Sequence, residues 1–191
     1  MKGRFPRFAV AALAFGAVGA CGSGTESAAP STSRSADQVT GCPTAAPPQD
    51  AEPALRLEGV TGRASVVPPT DRTAPRVTVE GPYRVDKTSA TTTREGTGAT
   101  LTDASVATVC YQGVNGRTGE VFDDAFARGE SVEFSLADVV TGFRKALSGQ
   151  KVGATVIAAV TAADGYPNGQ PAAGIKEGDS LIFTITVLAA S

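Results

Sequence analysis

The stretch VCYQGVNGRTGEVFDDAF, residues 109–126, joins an apolar strand to a glycine-rich turn and a Phe-Asp pair. Val109 and Tyr111 lie two positions apart, the spacing of side chains on one face of a strand. Three glycines then precede Phe122 and Asp123. Because glycine reaches backbone conformations closed to other residues, the pattern predicts a sharp turn that brings Phe122 and Asp123 back beside the strand.

Several kinds of catalytic site are excluded by composition. The 191 residues include no histidine, which rules out Ser-His-Asp and Cys-His devices and removes the commonest zinc ligand. Asp123 and Asp124 are adjacent, so in an extended segment they point to opposite sides and do not form an acid–base pair. The segment DGYPNG, residues 164–169, lacks the acidic spacing of a calcium loop. The sequence therefore favours a pocket that works by shape, apolar surface and hydrogen bonds, with no metal and no cofactor.

The first 20 residues have the pattern of an export signal, with basic residues before a short apolar run. The motif VGAC, residues 18–21, ends at Cys21 and resembles a bacterial lipobox. An ordinary signal peptide with a chance cysteine is the alternative. We expect a signal peptide at residues 1–20 and lipidation of Cys21, giving a lipid anchor on the extracytoplasmic face of the cell membrane. The chain from residue 21 carries 14 basic and 19 acidic residues, which argues against a nucleic-acid partner.

Composition divides the remaining chain into three parts. Residues 21–53 are predicted to be a lipidated, disordered tether, because 23 of the 32 residues from 22 to 53 are Gly, Ala, Ser, Thr or Pro. Residues 54–94 form an N-terminal extension with short strands, and their pattern leaves open whether they pair with the main sheet. Residues 95–191 form the main domain.

The main domain has four strand patterns and one helix pattern. Residues with β-branched or aromatic side chains recur at spacing two in SVATVCYQG, SVEFSLAD, TVIAAVTAA and SLIFTITVLAA. The segment TGFRKALSGQKVG predicts a short helix with Thr141 as N-cap and Gly149 as its left-handed end. The combination predicts an α+β fold in which an antiparallel twisted β-sheet wraps around one short α-helix.

In their order and spacing from residue 95 to 190, these motifs resemble the FKBP family of peptidyl-prolyl cis-trans isomerases, and especially exported actinobacterial FKBP lipoproteins. The resemblance implies an FKBP-like fold with a pocket between sheet and helix, and rotamase activity. It also implies a set of site residues. The implied catalytic residues are Tyr111, Phe122, Asp123, Phe143, Tyr166 and Phe183, and the implied substrate-binding residues are Val132, Val139, Val140 and Ile175.

Three positions depart from the family pattern. Phe143 stands at the pocket floor, where the family often has Trp, and Val132 is assigned to an aromatic position before the helix. In the segment from Ala162 to Ser180, which the resemblance implies is a flap over the pocket, Pro167 follows Tyr166, where a glycine is usual. These departures bear on catalytic rate and on affinity for a macrolide, which is a further candidate ligand.

The implied activity needs no acid or base. Rotation about an Xaa-Pro bond faces a barrier of roughly 20 kcal/mol because the twisted amide loses resonance. A pocket that binds the twisted form more tightly than either planar form lowers that barrier. The resemblance thus implies isomerisation of Xaa-Pro bonds in exported client proteins. The alternative is a non-catalytic module that binds a proline-containing envelope protein, which Pro167 and Val132 favour.

The cysteines remaining beside a lipidated Cys21 are Cys42 and Cys110, and the residues alone allow either two free thiols or one disulfide. If Tyr111 faces the pocket, as the resemblance implies, its neighbour Cys110 faces the opposite side of the sheet. The N-terminal extension could reach that side. We therefore expect a disulfide between Cys42 and Cys110 that holds the extension across the back of the sheet.

Overall fold

The structure is a computed structural model, and it describes residues 41–191. The expected signal peptide, the lipidation site Cys21 and the first part of the tether lie outside the described residues. Within residues 41–191, none of the helices has the length and apolar character that crossing a bilayer requires.

Nine strands and two short helices make up the described chain. The strands are β1 (Leu55–Glu58), β2 (Thr61–Val67), β3 (Arg76–Arg84), β4 (Ser89–Arg94), β5 (Val106–Asn115), β6 (Val121–Asp124), β7 (Val132–Ser135), β8 (Thr155–Val160) and β9 (Leu181–Ala190). The helices are α1 (Ala125–Arg128) and α2 (Thr141–Leu147), and Pro171–Ala173 form one turn of 3-10 helix.

The main sheet has six antiparallel strands in the order β4-β8-β9-β5-β6, and β7 also pairs with β5. Strand β5 is long enough to serve two partners along one edge. Its first half, from Val106 to Val109, pairs with β7, while Gln112 to Val114 pair with β6. This arrangement, an antiparallel sheet packed against α2, confirms the predicted α+β class. The main sheet begins at β4, within the part of the sequence that we assigned to the extension.

Helix α2 lies where the sequence predicted a helix, but its first turn differs. Val140 is the N-cap and makes no side-chain cap bond, so the prediction of Thr141 as N-cap is wrong. Gly149 follows the helix with φ of 83°, which confirms the left-handed residue expected at this end. The close approach of α2 to β8 depends on Gly142, since a Cβ there would overlap the Val160 side chain.

Helix α1 is a single turn that the sequence analysis missed. The Asp124 carboxylate accepts a hydrogen bond of 3.0 Å from the Ala127 backbone N–H, the bond that an N-cap makes. Gly129 ends the turn in the left-handed conformation with φ of 71°. Asp124 thus starts the helix, while the preceding residue, Asp123, faces the pocket described below.

The first three strands of the extension form a second sheet, in the order β1-β2-β3, which covers the back of the main sheet without joining it, whereas β4 pairs with β8 in the main sheet. Alternate residues of β8 show that both faces of the main sheet are apolar and need to be covered. Ala158 packs in the core with α2, whereas Ile157 and Ala159 pack on the opposite face against side chains of β2 and β3. With both faces covered, every residue of β8 is buried. This resolves the pairing that the sequence left open.

The Cys42–Cys110 disulfide is present, which confirms the expected pairing. It fixes residues that we had predicted to be tether. The Cys42 backbone N–H donates to the Gly129 carbonyl at 3.2 Å, and the Arg76 guanidinium donates to the carbonyls of Pro48 and Ala51 at 2.9 and 2.8 Å. Residues 41–53 therefore do not behave as a disordered tether, because a covalent bond and backbone hydrogen bonds supply what their apolar surface lacks.

Candidate functional site

A cavity of about 390 Å³ lies between the concave face of the main sheet and α2. Most of the residues assigned to the site from the sequence meet here, with an apolar floor and a polar rim. The lining residues are Tyr111, Phe122, Asp123, Phe134, Asp138, Val139, Val140, Phe143, Tyr166 and Phe183. All six residues predicted to be catalytic thus line one cavity, together with two of the four predicted to bind substrate.

The floor of the pocket is a cluster of aromatic rings centred on Phe143. Its ring centroid lies 5.9, 5.7 and 5.5 Å from those of Tyr111, Phe134 and Phe183, and each pair meets edge to face. Such contacts add stabilisation to the burial of the rings themselves. Phe122 continues the cluster through Phe183, at 5.8 Å. The floor is therefore a continuous apolar surface built from aromatic rings that meet edge to face.

One wall of the pocket carries the Asp123 carboxylate, and both of its oxygens already have hydrogen-bond partners. The Tyr111 hydroxyl donates a hydrogen bond to Oδ2 of Asp123, and Arg128 Nη1 lies 2.7 Å from Oδ1. Burial acts to raise the pKa of the Asp123 carboxyl, but the bonds from Tyr111 and Arg128 outweigh it and hold that pKa below its ordinary value. Burial and the neighbouring carboxylate raise the pKa of Tyr111 well above its ordinary value. The pair is therefore a fixed carboxylate and a neutral phenol at neutral pH.

The three glycines of the opening stretch have different roles. Gly113 lies inside β5, where a Cβ would come within 2.5 Å of the Phe122 ring, so glycine makes room for that ring. Gly116 meets backbone carbonyls on two sides, again leaving no space for a side chain. Only Gly119 adopts a left-handed conformation, with φ of 75°. The turn thus depends on one glycine, and the position of Phe122 depends on another.

The segment after β8 holds Tyr166 over the pocket and is anchored to α2. The Lys145 ammonium lies 2.9 Å from the Asp164 carboxylate, and the Gly142 backbone N–H donates to the Asp164 carbonyl at 2.8 Å. Asp164 is two residues before Tyr166. The Tyr166 hydroxyl forms no hydrogen bond with any residue of the described chain, so it is available to a ligand.

The far end of this segment is fixed by a buried carboxylate that the sequence analysis did not single out. Asp179 accepts hydrogen bonds of 2.9 Å from Arg117 Nε, Asn115 Nδ2 and the Lys176 backbone N–H. Burial acts to raise its pKa, yet these bonds hold the pKa of Asp179 below its ordinary value. Since Asn115 ends β5 and Asp179 precedes β9, the cluster joins the turn of the opening stretch to the base of the flap.

Two residues predicted to bind substrate lie elsewhere. Ile175 is 2% exposed and packs in the core at the end of the flap, and it does not line the cavity. Val132, the first residue of β7, pairs with Val109 and is likewise absent from the lining. Phe134, two residues further along β7, does line the cavity, and its ring lies 5.5 Å from that of Tyr111. The substrate-binding roles of Val132 and Ile175 therefore stay predictions.

The sequence carried a weak signal for Phe134. Val132 and Phe134 are two residues apart on one strand, so alternation places both on the same face. Phe134 lies opposite Ala107 in the register of β5 and β7, and that small partner leaves room for a large ring. The second lining residue that we missed, Asp138, carries no such signal because it lies in the turn before α2.

Comparison with known proteins agrees with this geometry. Residues 98–188 match the family model described as FKBP-type peptidyl-prolyl cis-trans isomerase. A probable FK506-binding protein of Corynebacterium glutamicum is 36% identical over 58 residues, which are 30% of this chain and 49% of that protein. Residues 98–188 form an FKBP-type domain.

Solved structures support the same fold for this FKBP-type domain. FkpA from Escherichia coli is 25% identical with a TM-score of 0.50, and the similar part covers 55% of this chain and 48% of FkpA. A peptidyl-prolyl cis-trans isomerase from Pseudomonas syringae pv. tomato is also 25% identical with a TM-score of 0.50, covering 56% of this chain and 77% of that one. This chain thus spans about half the length of FkpA and of the Corynebacterium relative.

Proposed function

We propose that the protein is a peptidyl-prolyl cis-trans isomerase that acts on Xaa-Pro bonds of exported client proteins. The observation that carries the proposal is the pairing of an aromatic floor, centred on Phe143, with a Tyr166 hydroxyl in the same cavity that has no hydrogen-bond partner among residues 41–191. The floor can take a proline ring, and the hydroxyl can hold the carbonyl that precedes it. Membership of residues 98–188 in the FKBP type agrees with this chemistry.

The mechanism follows from differential binding. In the twisted state the amide has lost its resonance, and its carbonyl dipole has turned away from the planar arrangement. The proline ring stays against Phe143 and Phe183 while the preceding carbonyl rotates into reach of the Tyr166 hydroxyl. A donor placed to meet the rotated carbonyl stabilises the twisted state more than either planar state, which is the condition for a faster reaction.

The proposed location is the extracytoplasmic face of the cell membrane, through a lipid on Cys21. It rests on the export pattern of residues 1–20 and on the lipobox-like VGAC motif. The Cys42–Cys110 disulfide supports it, since such bonds persist in oxidising compartments outside the cytoplasm. Radiolabelled fatty acid incorporated by the parent chain and lost in Cys21→Ala would test the anchor.

The test of activity is the rate of cis-to-trans exchange of a short Leu-Pro peptide, measured by NMR with the full-length oxidised chain. We expect clear acceleration that falls by about tenfold in Tyr166→Phe, the worth of one hydrogen bond to the transition state. Tyr83→Phe is the matched control, because it removes the same hydroxyl group from a residue on the other side of the main sheet. The exchange rate with this variant should equal that with the parent chain. A folded parent chain without acceleration would exclude the isomerase.

A binding module without catalysis is the second candidate, and Pro167 is the observation that favours it. Pro167 is exposed directly after Tyr166 and restricts the backbone where the flap would have to adjust. In that case the same cavity would hold a proline-containing envelope protein, and peptides would bind without faster exchange. A macrolide is a further proposed ligand for the cavity, and competition between it and the Leu-Pro peptide would show whether both occupy one site.

A further inference from the structure

The charge of the pocket points to a preference among substrates. Two of the ten lining residues are acidic, Asp123 and Asp138, and none is basic. Asp123 is neutralised by Arg128 at 2.7 Å. Asp138 is exposed at the rim, and none of the ion pairs or side-chain hydrogen bonds in the described chain involves its carboxylate. The uncompensated charge of the lining is therefore negative and lies on Asp138.

The backbone holds Asp138 at this position. Its N–H donates to the Ser135 carbonyl at 3.0 Å, which closes the turn between β7 and α2. The next two residues, Val139 and Val140, are themselves pocket lining, so a ligand in the cavity passes close to the Asp138 side chain. A carboxylate in this place meets whatever side chain stands beside the bound proline.

We propose that Asp138 is a specificity-determining residue that selects Xaa-Pro segments with a Lys or Arg flanking the proline. This inference rests on the proposed function and names its substrate class. A cation beside the proline would pair with Asp138, while an acidic residue there would be repelled. The net charge of the described chain also favours cationic peptides, since residues 41–191 carry 13 basic and 17 acidic side chains.

The test compares two sets of three peptides, which bear Lys, Leu or Glu either directly before the proline or directly after it and are otherwise identical. For each we would measure kcat/KM by NMR exchange and Kd by calorimetry with the full-length oxidised chain. We expect the Lys peptide to exceed the Glu peptide by about 3- to 20-fold at low salt, since each exposed charge contact changes affinity by about 1.5- to 5-fold. The preference should shrink in 0.5 M NaCl because exposed charges are screened.

Two variants assign the preference to Asp138. Asp138→Asn should lower the Lys-to-Leu ratio by about 1.5- to 5-fold, and Asp138→Lys should reverse the order so that the Glu peptide is preferred. Glu133→Gln is the matched control: it removes an equal charge from an exposed position on the same segment that does not line the pocket. The Lys-to-Leu ratio of Glu133→Gln should equal that of the parent chain.

The outcomes separate this inference from the proposed function. Faster exchange of the three peptides in both sets, with equal ratios in the parent and in Asp138→Asn, would overturn charge selection and leave the isomerase intact. Tighter binding of the Lys peptide without faster exchange would support selection by Asp138 in a binding module. Equal Kd values for the Lys and Glu peptides at low salt would overturn the inference in either case.

Discussion

Arg128 and Asp123 form an ion pair of 2.7 Å between Nη1 and Oδ1, which leaves Oδ2 of the same carboxylate to accept the Tyr111 hydroxyl. One charged group in α1 and one neutral group in β5 thus hold the Asp123 side chain from two directions. The carboxylate is oriented before any ligand arrives. It is better suited to fixing the wall of the pocket than to moving a proton.

This arrangement predicts a pH-dependent contribution to stability. Because the fold holds the pKa of Asp123 below its unfolded value, the contribution is full above about pH 4 and is lost as pH falls through the lowered pKa. Arg128→Gln should therefore lower Tm at pH 7, and the difference from the parent should narrow below pH 4. Arg63→Gln is the control, since its contact with Glu80 is 3.7 Å and both side chains are mostly exposed. An equal Tm loss at pH 7 and pH 3 would contradict the assignment.

The disulfide predicts a loss of stability when it is removed. Cys42 and Cys110 are 68 residues apart, and closing a loop of that length is worth about 4 kcal/mol in the chain-entropy model. The double variant Cys42→Ser/Cys110→Ser should unfold in denaturant with a free energy lower by up to that amount. The reduced parent protein should match the double variant. If oxidised parent and double variant unfolded at the same denaturant concentration, the bond would have no stabilising role.

The contact between Gly113 and Phe122 predicts a non-additive pair of substitutions. A Cβ on residue 113 meets the Phe122 ring, so Gly113→Ala should displace that ring and cost about 1–3 kcal/mol by overpacking. In a Phe122→Ala background the same change should cost much less, because the obstructing ring is gone. Chemical denaturation of the four proteins measures the coupling. Equal costs in both backgrounds would show that Gly113 acts through its backbone instead.

The cavity lining, which includes Phe134 and not Val132, predicts that these two apolar residues of β7 differ in function. Phe134 contacts Tyr111 and Phe143 in the pocket, so Phe134→Ala should lower kcat/KM for a Leu-Pro peptide by about tenfold or more. Val132→Ala lies on the same strand outside the lining and should change kcat/KM far less. A larger loss of kcat/KM in Val132→Ala than in Phe134→Ala would show that Val132 contacts the substrate and that Phe134 does not.

The second sheet predicts stabilising residues that are remote from the pocket. Ile157 is 1% exposed and packs against the extension, so Ile157→Ala should cost about 2–5 kcal/mol of unfolding free energy. KM for the peptide should stay near that of the parent, because Ile157 faces away from the cavity. Val60→Ala is a control in the extension itself, since Val60 is 61% exposed. A normal stability for Ile157→Ala would mean that the two sheets do not share a core.

Local pattern was enough to find most of the main domain. Alternation located β5, β7, β8 and β9, and a four-residue spacing located α2, because these signals depend on which face of one element is buried. The six residues predicted to be catalytic come from separate elements, yet all line one cavity. Their order along the chain and the resemblance to a known family carried that prediction, since each residue alone would pass for core or turn.

Pairing between distant parts of the chain decided the rest. Alternation gives Val132 and Phe134 the same face, and only the register with β5 and the position of α2 bring one of them into the pocket. Asp179 meets Arg117 across 62 residues, a contact that no local pattern shows. The sequences of β1, β2 and β3 did not indicate what these strands pack against, and they cover the main sheet because its back is apolar at Ile157 and Ile182.

The hydrophobic period of the sequence by itself determined the α+β fold class, and the resemblance to a known family implied most pocket residues and led to the expected disulfide. Only the tertiary structure decided that residues 41–53 are held in place and that Phe134 and Asp138 complete the lining. The physical reason is that burial, ion pairing and ring contacts depend on distances between elements. Those distances arise only when both faces of the main sheet are covered.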